Sequence, residues 1–421
     1  MILLFGQSTT RVNAAFRNLF YPLWCDPTGQ GSPATGQSYS DVYVQSSDDN
    51  ELDLRLNMVK ICAMNRYLPL FFILVLACNE LPVGGDELRT RGDFDPQFLE
   101  LNLFSSFTEY KGVNSGTSFH LVFGANDEYQ ARTLLSFEFP DSSFTGLDEI
   151  KLILKIDGDF DNDTLAFSVH LMDVEFVESE AVWTKRTNSE PWQTPGGDYE
   201  SDSLRYGVVE ADSVILYFNY LELAQIQDAE GMIIVPRGEG FCYLHSKEFG
   251  DAPRLELKKN DINLAITAAA DCYIVTGPEP ALFDDWIGSG WVYRDYVKFN
   301  YDTLLDSSMA VYAELSFRCS DYFSYQDSLE IGVRQLLEPF STFDETEVGP
   351  LIALEQIAVG DTMVTIDIVK HVQRIIDHPD SNFGFYIQIS PESNDISRIE
   401  LVHGSHCLNI GYVLPPEPRE F

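Results

Sequence analysis

Ile150-Lys151-Leu152-Ile153-Leu154-Lys155-Ile156, followed after an acidic turn by Leu165-Ala166-Phe167-Ser168-Val169-His170-Leu171, decides the fold. In the first run Ile150, Leu152, Leu154 and Ile156 share one face and Lys151 and Lys155 the other. In the second, Leu165, Phe167, Val169 and Leu171 alternate with Ala166, Ser168 and His170. Side chains on a strand point to opposite faces in turn, so a period of two over a short run marks a strand with one face buried. The alternation returns at Val311, Ala313, Leu315 and Phe317, at Leu329, Ile331 and Val333, and at Phe385, Ile387 and Ile389. Gly, Asp, Asn and Pro clusters split the runs, which predicts an all-β chain of antiparallel strands in sandwiches or barrels.

The pattern occurs twice. Asp212-Ser213-Val214-Ile215-Leu216 matches Asp361-Thr362-Met363-Val364-Thr365. Each is followed by a helix-start residue, Asn219 or Asp367, and a short helical stretch. Asn219 with Glu222 resembles a capping box. Leu221 and Ala224 begin the apolar stripe of the first helix; Ile368, Val372, Ile375 and Ile376 form that of the second. Each helix leads through an apolar strand to Arg254-Leu255-Glu256-Leu257 or Arg398-Ile399-Glu400-Leu401. Upstream, the run from Arg132 to Phe137 corresponds to that from Arg294 to Phe299. The expectation is two tandem, jelly-roll-like antiparallel sandwiches, over 100–260 and 264–416, each with one short helix.

The 421 residues carry 66 acidic and 27 basic side chains, a formal charge of −39. That excess argues against nucleic acid as partner, because neutralising phosphates takes Lys and Arg. With 45% apolar residues the chain can bury real cores, which excludes wholesale disorder. The longest strongly apolar run, Leu68 to Ala77, is too short for a membrane span of ~20 residues and suits the centre of a secretory signal. Lys60 and Arg66 precede it, and Val75-Leu76-Ala77-Cys78 resembles a bacterial lipoprotein cleavage box. That resemblance implies a signal peptide over 58–77, lipid attachment at Cys78, a tether over 78–99 and an outer-membrane destination. The alternative is an ordinary signal peptide with a chance Cys. Residues 1–57 precede the signal and read either as the product of a start codon assigned too early or as an N-terminal extension.

Gly116-Thr117-Ser118-Phe119-His120-Leu121-Val122-Phe123-Gly124, with the run from Arg132 to Phe137, resembles the opening of DNRLRE domains. Phe176 through Glu178 to Trp183 is similar to that family's Trp-x-Glu…Thr-Trp segment, with Phe176 for the first Trp. Ser246-Lys247-Glu248 with Pro253-Arg254-Leu255 resembles its closing segment. The second copy keeps an opening (Asp271-Cys272-Tyr273, then Arg294 to Phe299) and the ending. The resemblance implies β-sandwich modules of secreted and surface proteins, some of which bind polysaccharides such as alginate; it implies no catalytic set.

Asp157, Asp159, Asp161 and Asp163 alternate along one turn. Ca²⁺ takes six to eight oxygens, and alternating Asp lets a loop wrap one; the alternative is a solvated hairpin whose charges discourage edge pairing. Trp192, in Pro191-Trp192-Gln193-Thr194-Pro195-Gly196-Gly197, and Trp286 and Trp291, flanking Gly288-Ser289-Gly290, are loop tryptophans that can stack on sugar rings or pack the interior. Trp183 follows Val182 in the stretch that resembles the DNRLRE core, and that resemblance implies a structural role. His403-Gly404-Ser405-His406-Cys407 reads as a capped loop or a pair of metal ligands. Cys242, Cys272, Cys319 and Cys407 allow three disulfide pairings or none. The expected function is a non-catalytic, lipid-anchored envelope protein that binds a polysaccharide or cell-surface component, or serves structure or adhesion. Its rival is a carbohydrate-active enzyme, a lyase or hydrolase, on the same scaffold.

Overall fold

The computed structural model describes residues 96–414 apart from 102, 141–143, 158–164, 210–212 and 303–307. The strands are β1 (Gln97–Leu101), β2 (Leu103–Gly112), β3 (His120–Ala125), β4 (Gln130–Phe137), β5 (Glu149–Lys155), β6 (Leu165–Leu171), β7 (Arg205–Val209), β8 (Ser213–Tyr217), β9 (Met232–Pro236), β10 (Gly240–His245), β11 (Arg254–Lys259) and β12 (Ile262–Thr276). They continue with β13 (Asp285–Ser289), β14 (Trp291–Phe299), β15 (Met309–Phe323), β16 (Ser328–Leu336), β17 (Val348–Ala358), β18 (Met363–Asp367), β19 (Phe385–Ile389), β20 (Ser397–Leu401) and β21 (Cys407–Val413). Helix α1 (Tyr220–Asp228) follows β8, and α2 (Val369–Asp377) follows β18. No helix among the described residues is long and apolar enough to cross a membrane.

Among the described residues all strand pairings are antiparallel and form two curled sheets. The first runs β7-β6-β9-β4-β12-β11-β5-β8, with β3 on β4 and β10 on β3. The second contains β17-β16-β19-β14-β13-β20-β15-β18, with β21 also on β15, β1 on β21 and β2 on β14. Position by position the two orders correspond: β4 with β14, β8 with β18, β11 with β20. The matched sequence segments therefore occupy matched places. In each sheet one long strand turns the corner. The N-terminal half of β12 pairs with β11 and its C-terminal half with β4, across a bulge at Ala268/Ala270. β15 does the same between β21 and β20, across a bulge at Cys319/Asp321. Each sheet closes over its own core: Leu121, Phe123, Leu152, Phe167 and Leu244 in the first, Phe299, Leu315, Phe317, Ile331 and Ile387 in the second.

The fold is all-β and sandwich-like, but strand pairing moves the limits read from the sequence. β12 does not open the second body; it completes the first, with Cys272 and Ile274 packed against Leu134 and Ile233. β2, assigned to the first body by position, lies along β14 of the second, from Leu103 opposite Phe299 to Gly112 opposite Trp291. The body from β3 to β12 is thus inserted between β1–β2 and β13–β21. The described residues lie in one compact unit, with the two largest apolar clusters one under each sheet. The seam between the bodies is aromatic: Tyr129 stacks on Phe323 at 4.7 Å, and Tyr273 Oη donates to Ser393 O at 2.7 Å.

Two local expectations change as well. Val311 is 48% exposed, because a bulge between Ala310 and Tyr312 shifts the register and turns Ala310 inward instead. In α1 the inward residues are Leu223 and Ile226, while Leu221 is exposed. The capping box is present: Asn219 Oδ1 accepts from Leu221 N and Glu222 N, and Glu222 Oε2 accepts from Asn219 N at 2.7 Å. In α2 the cap position falls on Ile368, and Asp367 Oδ1 accepts from Val369 N at 2.9 Å. Ile368, Val372, Ile375 and Ile376 are all buried, as their spacing predicts.

Two stability measurements follow. Asn219→Ala is expected to cost about 1 kcal/mol in denaturant unfolding, the usual worth of a side-chain cap. His371 on α2 is buried against Phe385, and burial, with the Arg374 charge adding, lowers its imidazole to about 4. Its folded-state value lies below its unfolded one, so the unfolded chain takes up the proton first as pH falls from about 6.5 to about 4. Stability is present above that window and drops through it, on the order of 3 kcal/mol for this group. His371→Phe should make the melting temperature less sensitive to pH across that window.

Candidate functional site

A cleft of about 490 Å³ opens where the long connection after β6 meets β2 and β14. Tyr110 and Gly112 of β2, Trp291 of β14, and Val182, Trp183 and Lys185 of the connection line it. The β2–β14 ladder sets one wall. Gly112 lies opposite Trp291, and a Cβ there would come within 3.1 Å of Trp291 Cζ3, so a larger residue would push the indole by a few tenths of an ångström. Tyr110 leans on the same indole with ring centroids 6.0 Å apart. Burial, then the Glu279 carboxylate, raise its phenol above the ordinary tyrosine value.

The connection forms the other wall and is held by turns. Glu180 N and Ala181 N donate to Val177 O, and Val182 pairs with Lys185. Gly196 adopts φ +94°, where a Cβ would meet Trp183 and Arg132 at 2.8 Å. Arg132 Nη1 donates to Gly196 O at 2.6 Å, with its guanidinium 4.9 Å from the Trp183 ring centre. One indole face is therefore stacked on a cation and fixed in place. The polar groups are partly committed. Lys111 pairs with Asp344, and Glu180 accepts from Asn188 N at 2.7 Å. Thr184, Lys185 and Asn188 remain exposed at the rim. The arrangement offers flat aromatic surface edged by hydroxyl, amide and ammonium groups.

The predicted platform residues separate. Trp291 lines the cleft. Trp192 does not: it is 4% exposed, donates Nε1–H to Val182 O at 2.8 Å and packs with Leu134, Ala181 and Ile274. It is the support of the cleft wall. Trp286 lies in β13 rather than a loop, with Arg398 4.5 Å above its ring and Tyr293 edge-on. Trp183, read from the sequence as core, is the second indole of the cleft; the apolar pair Ala181-Val182 before it gave no sign of this.

Cys78 lies outside the described residues, as do Asp159, Asp161 and Asp163. Asp157 is described, and two imidazoles hold it: His120 Nε2 at 2.7 Å and His245 Nε2 at 3.6 Å. His403 Nδ1 meets the buried Asp285 at 3.0 Å, and His406 meets Asp295 at 2.7 Å with both side chains fully buried. His120 and His245 thus share one carboxylate, while His403 and His406 each have their own. Cys242, Cys272, Cys319 and Cys407 are free thiols, and burial raises Cys242 to about 12.

No family model matches the chain, and no curated protein matches it. Among solved structures it is similar to the N-terminal CBM22-1-CBM22-2 tandem domain of Xyn10C from Paenibacillus barcinonensis, at 12% identity over 76% of this chain and 92% of that one, with a TM-score of 0.19.

Trp192→Ala is expected to destabilise the chain by about 3–5 kcal/mol, the cost of emptying a buried indole site. Chemical denaturation measures it; a loss under 1 kcal/mol would return Trp192 to the surface.

Proposed function

We propose that this chain is a non-catalytic, lipid-anchored protein of the bacterial outer membrane, akin to DNRLRE proteins, that holds a polysaccharide in the cleft between its two bodies. The observation carrying this reading is the cleft itself: Tyr110, Trp183 and Trp291 brought together from three segments and rimmed by Thr184, Lys185 and Asn188. Pyranose rings present C–H faces that stack on aromatic rings, and hydroxyls that pair with such rim groups. The run from Leu68 to Cys78 supports the anchor, and the segments around Gly116, Glu178 and Glu248 support the family reading. The charge of −39 favours neutral or cationic glycans over anionic ones.

A glycan array with the full chain, followed by calorimetry on the best binder, tests this. Trp183→Ala and Tyr110→Ala should weaken binding about tenfold or more, as loss of a central aromatic anchor does. Trp286→Ala should bind as the parent does. No glycan bound, or unchanged affinity in both cleft variants, would overturn the proposal.

A further inference from the structure

Glu178, Glu248 and Asp271 converge from three segments of the first body: the connection after β6, the short 3-10 turn Lys247–Phe249, and β12. Each offers one carboxylate oxygen, and the three oxygens lie within 4.8 Å of one another. Two ligands on one Ca²⁺, each at about 2.4 Å, can be no more than about 4.8 Å apart, so this spacing fits a single coordination sphere.

The second observation is a buried orphan. Asp271 is 1% exposed, and its Oδ1 has no hydrogen-bond partner. Its Oδ2 accepts from Lys247 N at 2.8 Å, and Glu178 Oε1 accepts from Asp271 N at 2.9 Å, so both carboxylates are held from the backbone. Lys247 Nζ bridges Glu178 Oε2 at 2.5 Å and Ala269 O at 3.0 Å. One ammonium thus faces three carboxylates, and the uncompensated charge equals that of a divalent cation.

We propose that Glu178, Glu248 and Asp271 form a Ca²⁺ site. The donors are all oxygen, the set preferred by a hard cation, and the exposed Glu248 leaves one side open for water ligands. The ion would join the turn after β10 to β12 and to the start of the connection that carries Trp183. The site uses none of the residues of the acidic turn from Asp157 to Asp163, and it does not depend on the glycan reading.

Calorimetric titration of CaCl₂ into the EDTA-stripped, dialysed full chain is the test. The proposal expects saturable binding and a rise in melting temperature. Asp271→Asn and Glu248→Gln should each weaken binding at least about tenfold; the latter changes an exposed side chain and leaves the fold intact. Asp161→Asn should bind as the parent does. Absence of binding, or binding unchanged in Glu248→Gln and abolished in Asp161→Asn, would overturn the assignment.

Discussion

The ladder between β2 and β14 is the constraint on which the rest depends. It joins residues almost two hundred positions apart, from Leu103 against Phe299 to Gly112 against Trp291, and it makes the second body discontinuous in sequence. Closing so long a span costs only slowly growing entropy, because the penalty rises with the logarithm of length. The backbone pairs and the apolar cover recovered at the seam offset it. The same ladder places Trp291 over Gly112, beside the connection that ends the first body's β6. The cleft wall is a by-product of how the two bodies are tied.

The seam sets phenols among aliphatic side chains such as Val122, Val275 and Ile396. Tyr129, Tyr243 and Tyr273 are buried there, and each hydroxyl has a partner across or along it: Tyr293 and Arg398 for Tyr129, Ile396 N for Tyr243, Ser393 O for Tyr273. A buried hydroxyl left unpaired is costly, so such a seam fits in one register and few others. Arg398 adds a further tie, reaching Glu128 at 3.1 Å while lying over Trp286. The Arg-x-Glu strand shared by both copies thus has a second task in the later copy.

Local periodicity was legible, and pairing over distance was not. The alternation at 150–156 and 165–171 identifies β5 and β6, and Asn219 with Glu222 identifies the start of α1, because each depends only on neighbours along the chain. The duplication was legible for the same reason. The exchange of β2 and β12 was invisible, since an alternating strand pairs equally well with several partners until the tertiary contacts choose. The tryptophans show this most sharply. Trp192 sits among Pro and Gly residues that suggest an exposed loop, yet Val182 O and Ile274 draw it inward. Trp183 follows an apolar pair, yet Gly196 and Arg132 prop it at a surface.

Insertion of one body within the other has a consequence for biogenesis. β1 pairs with β21, the last described strand, and β2 with β14. As the polypeptide emerges from its N-terminal end, the inserted body can assemble from its own strands, whereas β2 is left with a bare edge until β14 follows and β1 until β21 does. Naked edges of this kind invite pairing with foreign chains. Removing β21 would therefore strip β1 of its partner at the opposite end of the described chain.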